Sequence, residues 1–90
     1  MDNILDIKKG LAERIRMRRR EARISQTAMA QRSGVSLGSI KRFEGSGEIS
    51  LASLLRIAAV LGYEKDFDNL FTRKNYQSID EIIAENREPQ

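Results

Sequence analysis

Apolar residues recur at helical spacing in four stretches of the chain, and serine or glycine punctuates the gaps between them. Leu11, Ile15 and Ala22 share one face, which predicts a first helix from Ile4 or Lys9 to Ala22. Arg18 falls where that stripe calls for an apolar side chain, so it either snorkels to water or marks the edge of the domain. Ser25 is a good N-cap for a second helix, Gln26 to Ser33, which turns Met29 and Ala30 inward. Gly34 ends it with the left-handed backbone that a sharp turn needs, and Val35 plugs the corner. Ser36 caps a third helix that runs to about Phe43, with Ile40 and Phe43 facing the core. Gly45-Ser46-Gly47 reads as a loop. Ser50 then caps a fourth helix, Leu51 to Leu61, whose apolar face is Leu51, Leu54, Leu55, Ala58 and Leu61. Gly62 stops it, and a short fifth helix over Asp66 to Phe71 is expected to return Phe67, Leu70 and Phe71 to the core. No apolar-polar alternation is long enough for a strand. The fold class is all-α.

Beyond Phe71 the pattern changes, which divides the chain into a domain over residues 1–71 and a tail over 72–90. Thr72 to Gln77 is a polar linker. Ser78-Ile79-Asp80-Glu81 matches a capping box, and Ile79, Ile82 and Ile83 follow on one side. A helix that short is marginal in water unless it docks on something.

Charge adds what periodicity leaves out. The net charge of +3 conceals an uneven distribution: residues 1–45 hold eleven Lys/Arg against five Asp/Glu, and residues 46–90 hold five against eight. The basic half suits a polyanion, and the acidic half suits something else. The chain has no cysteine and no histidine, which removes disulfides, Cys/His zinc sites and any catalytic group built on thiol or imidazole. No paired-carboxylate spacing or phosphate-cradling glycine loop suggests an enzyme or a cofactor. The longest apolar run, Leu54 to Gly62, is broken by Arg56 and too short for a bilayer, and the first ten residues lack an apolar signal core. A cytoplasmic protein with no membrane partner is expected.

Two short helices over residues 25–44, directly after the basic run RIRMRRREAR, point to duplex DNA. Helices that cross steeply need a small residue at the contact, Ala30, and a turn at Gly34, while Met29, Val35, Ile40 and Phe43 lock the angle. In this register the chain resembles the phage-repressor-like helix-turn-helix family, the XRE family. The residues that carry the likeness are Ser25-Gln26, Met29-Ala30, Gly34-Val35-Ser36, Ser39-Ile40, Glu44, Leu54, Ile57-Ala58 and Leu61, within Leu11 to Leu61. The resemblance implies a compact five-helix lambda-repressor-like domain with its third helix in the major groove of DNA. It maps base reading onto Leu37, Gly38 and Arg42, with Ser36 close by, and leaves Lys41 and Ser39 for phosphate or a neighbouring base. Arg42 can donate two bonds to guanine and Leu37 can meet a thymine methyl. Gly38 has no side chain to read with, so either direct readout is sparse or the backbone lies close to DNA. Gln26 falls where the family anchors a phosphate, and a helix N-terminus suits an anion in any case. The resemblance also implies an ion pair between Arg19 and Glu44. Arg23 departs from the pattern, standing where the family ends its first helix with glycine.

One such helix reads only a few base pairs, so a homodimer on a pseudo-palindromic operator is expected, acting as a repressor. Its dimer- or partner-facing residues are placed at Tyr63, Phe71, Tyr76, Ile79, Ile82 and Ile83, with core packing the competing role for the neighbouring Phe67 and Leu70. The acidic extension also resembles antitoxins that partner HipA-type kinase toxins, which implies a toxin–antitoxin alternative with a second protein partner. Binding RNA or a membrane surface through the basic helix explains the arginines but not the Ala30, Gly34 and Ile40 register.

Overall fold

The computed structural model describes residues 3–74 and 83. Four α-helices, α1 (Ile4–Glu21), α2 (Gln26–Ser33), α3 (Leu37–Ser46) and α4 (Leu51–Leu61), precede a 3-10 helix over Glu64–Asn69. There is no strand among the described residues. The protein is all-helical, with the five-element order and packing of a lambda-repressor-like domain.

The α-helices begin where a short polar side chain takes an otherwise unpaired backbone donor. Asn3 Oδ1 accepts from the Asp6 N–H at 2.8 Å, and Ser25 Oγ from Ala28 at 3.0 Å. Ser36 and Ser50 accept likewise from Ser39 and Ser53, both at 3.1 Å. Each such cap is worth about 1 kcal/mol.

The core is formed around Met29, Ile40, Phe43 and Ile57, all fully buried, with Ala12, Ile15, Ile24, Val35, Leu54 and Ala58 beside them. α3 packs on α1 and α2, and α4 lies across α2 and carries the 3-10 helix. α3 is therefore held from two sides and keeps one face for solvent.

Several expectations need correcting. The buried stripe of α1 runs through Ala12, Ile15 and Arg19, leaving Leu11 half-buried and Ala22 exposed. The stripe passes through a charged residue because that residue meets its counter-charge on α3. α3 does not stop at Phe43: Gly45 and Ser46 continue the helix, and only Gly47 turns, with φ 82°. Ser46 Oγ donates back to the Arg42 carbonyl at 2.7 Å, which helps hold that last turn. On α4 the buried positions are Leu54, Ile57 and Ala58, whereas Leu51 is 66 % exposed and Leu55 is also exposed. The last helix is a 3-10 turn that half-buries Phe67 alone; Leu70 is 54 % and Phe71 99 % exposed, so neither joins the core. Six residues of 3-10 geometry present one side only, and that side is spent on Phe67.

Candidate nucleic-acid interface

The helix pair is fixed by a buried polar hub. Arg19 donates from Nε to Glu44 Oε2 at 2.8 Å and from Nη2 to Oε1 at 2.9 Å. Its Nη1 donates to the Ile24 carbonyl at 2.7 Å. Both side chains are nearly sealed, 9 % and 6 % exposed. Burial pushes the Glu44 carboxyl up, but hydrogen bonds from Arg19 and Gln26 and the nearby charges of Arg19 and Arg16 outweigh it, so the group stays below the ordinary glutamate value. Gln26 completes the hub by donating Nε2 to Glu44 Oε1 at 3.1 Å. One carboxylate thus ties α1, the start of α2 and the body of α3 together.

The turn before α2 is wound by the same residues. The Ile24 N–H reaches the Arg19 carbonyl at 3.1 Å and the Arg23 N–H reaches Arg20 at 3.0 Å, the paired bonds of a Schellman ending. The pattern requires a left-handed residue, and Arg23 takes it with φ 58°. The departure at this position is therefore a strained arginine in an unaltered turn.

The outer face of α3 carries the positions of interest. Ser36, Gly38, Ser39, Lys41 and Arg42 are exposed and Leu37 is half-buried, while Ile40 and Phe43 point into the core. Ser36 Oγ donates to Ser39 Oγ at 2.8 Å, which ties two of these positions to each other at the head of the helix. A Cβ built on Gly38 meets nothing within 4 Å. Beside this face lies an open groove of about 280 Å³ lined by Ser39, Arg42, Glu48, Ile49, Ser50 and Ser53. Glu48 is an unwelcome charge for a polyanion, and Lys8 of α1 answers it with a salt bridge. That hydrogen bond and charge, with a smaller contribution from Arg42, hold the Glu48 carboxyl below its ordinary value.

A helix-turn-helix family model matches residues 15–67. The chain belongs to the XRE-type helix-turn-helix family. No curated protein and no solved structure matches it. As a family member it is a DNA-binding transcriptional regulator, carrying a regulatory rather than an enzymatic domain. Among the described residues, no helix is long and apolar enough to cross a membrane.

Of the positions named for a dimer or partner, Tyr63 is 39 % exposed, Phe71 is 99 % exposed and Ile83 is 42 % exposed. Tyr76, Ile79 and Ile82 lie outside the described residues. Three features around the helix-turn-helix unit had little or no visible sign in the sequence. The Gln26–Glu44 bond and the Lys8–Glu48 pair join residues 18 and 40 positions apart. The third is the contact at Gly47, where a Cβ would lie 2.8 Å from Lys8 Cβ and 2.9 Å from its backbone carbon. Only the glycine itself hinted at that approach.

Proposed function

We propose that this regulator is a dimeric repressor of a pseudo-palindromic operator, including that of its own operon. The observation that carries the proposal is the two-sided grip on α3: Ile40 and Phe43 are buried, Glu44 is bolted to Arg19, and Leu37, Gly38, Ser39, Lys41 and Arg42 share the remaining surface. Arg42 makes the principal base contact, a bidentate pair with guanine, and Leu37 meets a thymine methyl. Lys41 and the Ser36–Ser39 pair serve the backbone. Helix geometry leaves the Gln26 and Thr27 N–H groups without intrahelical partners, and a phosphate there completes the α2 N-terminus. Two copies place their α3 helices one turn of DNA apart, about 34 Å.

Footprinting on the promoter of its own gene tests this reading. A protected pseudo-palindrome and an affinity that falls steeply with salt are expected. Equal affinity for that promoter and for random duplex rejects specific repression.

A second reading adds a protein partner of the kinase-toxin kind to the same repressor. Leu70 and Phe71 support it, being apolar residues left in solvent where the helical domain ends. Two tests decide: without a kinase-like neighbouring gene, and with neither repression nor any co-purifying partner changed on deleting residues 72–90, the antitoxin reading is abandoned.

A further inference from the structure

Away from the outer face of α3, an apolar groove of about 590 Å³ runs between α1 and the 3-10 helix. Its walls are Ile7, Leu11 and Ile15 on one side and Tyr63, Phe67 and Leu70 on the other. Arg14 and Arg18 stand on the α1 wall, with Asp66 opposite. Arg18 is paired with Glu21 at 3.3 Å. Ile7 is 57 % and Leu70 54 % exposed, so a continuous greasy surface faces water.

The chain contains a segment of matching chemistry. Residues 78–85, SIDEIIAE, combine Ile79, Ile82 and Ile83 at helical spacing with Asp80, Glu81 and Glu85. The apolar residues fit the walls, and the acids complement the Arg14 and Arg18 side of the rim. Leu70 lies in the groove itself, and eight residues separate it from Ile79, a contour of about 30 Å at full extension. Ile83 is helical and 42 % exposed, and Ile7 and Leu70 are more exposed still. Ile83 and the groove residues Ile7 and Leu70 thus all keep exposed surface among the described residues.

We propose that the groove receives residues 78–85 of a second copy, so that two chains exchange their C-terminal segments. The exchange is reciprocal: each copy gives one segment and offers one groove, so the assembly closes at two. It rests on the dimeric-repressor reading and gives that dimer its contact. The acids of the tail are then neutralised away from the DNA-facing side, and the tail helix gains the docking that a short helix needs.

Because the chain has no cysteine, introduced thiols report the contact without background. Leu70→Cys and Ile82→Cys are made in separate full-length chains carrying tags of different size, mixed, and oxidised mildly. A disulfide joining the two tags is expected, and Ile82→Asp should raise the dimer dissociation constant about tenfold or more without changing the thermal unfolding of the domain. Deleting residues 78–90 should weaken the dimer to a similar extent. Linkage confined to single chains of the double Leu70→Cys, Ile82→Cys variant overturns the exchange in favour of docking within one copy. Absence of either link in a protein that still sediments as a dimer overturns the groove as the contact and leaves the dimeric repressor standing. A protein that is monomeric both free and on its operator overturns the exchange and the dimer together.

Discussion

Arg19 and Glu44 form a two-bond fork in which both carboxylate oxygens are held, at 2.8 and 2.9 Å, with almost no solvent contact. Removing either partner leaves the other charge buried and unpaired. Arg19→Ala or Glu44→Ala is therefore expected to cost about 3 kcal/mol in urea unfolding. Arg19→Lys should recover little, because an ammonium cannot supply the fork and the bond to the Ile24 carbonyl at once. A loss below about 1 kcal/mol would show that the pair is solvated and the hub is not structural.

Acid should loosen the domain through the same carboxylate. The folded state holds Glu44 below its ordinary value of 4.5, so folding favours the ionised form. The resulting stability is fully present above about 4.5 and fades as pH falls from there through the lower folded value. Unfolding free energy measured against pH should decline over that window, and Glu44→Gln should flatten the decline. A Glu44→Gln profile parallel to the parent's would assign the acid response to other carboxylates.

Two glycines in the left-handed region separate strain from space. Gly34 has φ 74° and open space where a Cβ would stand, so Gly34→Ala costs the backbone term alone, about 1–2 kcal/mol. Gly47 has φ 82° and the Lys8 backbone within 3.0 Å of that point, so Gly47→Ala should cost about 3 kcal/mol or more. Thermal unfolding of the two variants compares them directly, and equal losses would remove the close approach of α1 to α3 as a constraint.

Arg23→Gly should go the other way. An arginine at φ 58° bears about 1–2 kcal/mol of strain, and glycine returns about 0.5–1 of that to the unfolded chain. A net gain of roughly 0.5–1 kcal/mol is expected by denaturant titration. No gain would mean that the arginine side chain makes up its strain elsewhere.

Gly38 sits inside α3 with nothing near its missing Cβ, so Gly38→Ala should stabilise the helix by about 0.5–1 kcal/mol. Within the protein this glycine is a cost without a contact. If DNA approaches closely here, operator affinity should fall while stability rises. Unchanged affinity would instead favour sparse side-chain readout at this position.

Elements bounded by a serine cap and a single glycine were legible from the sequence: α2 and α4 begin and end where Ser25, Gly34, Ser50 and Gly62 put them. The end of α3 was not, because Gly45-Ser46-Gly47 offers two possible turns, and the close approach of Lys8 to Gly47 joins residues far apart in the chain. Arg19 was legible as an ion-pair partner only through the family likeness. By periodicity alone a charged residue does not belong to a buried stripe. Leu70 and Phe71 misled for the opposite reason: apolar identity suggests burial, but nothing in the chain fixes which molecule does the burying. The outward positions of α3 were nameable in advance because helical spacing separates them from Ile40 and Phe43; a base-reading role for them came only from the family likeness.

The division of labour along α3 has a consequence for how such a protein can change. Ile40, Phe43, Glu44 and Gly47 set the helix against α1 and α2, and Leu37, Gly38, Lys41 and Arg42 take no part in that hub. If the outer face reads DNA as proposed, substitution there redirects the regulator to a new operator while the scaffold stays as it is. Target choice and foldability then fall largely on different positions of one helix and its cap, with Gly38 the place where they meet.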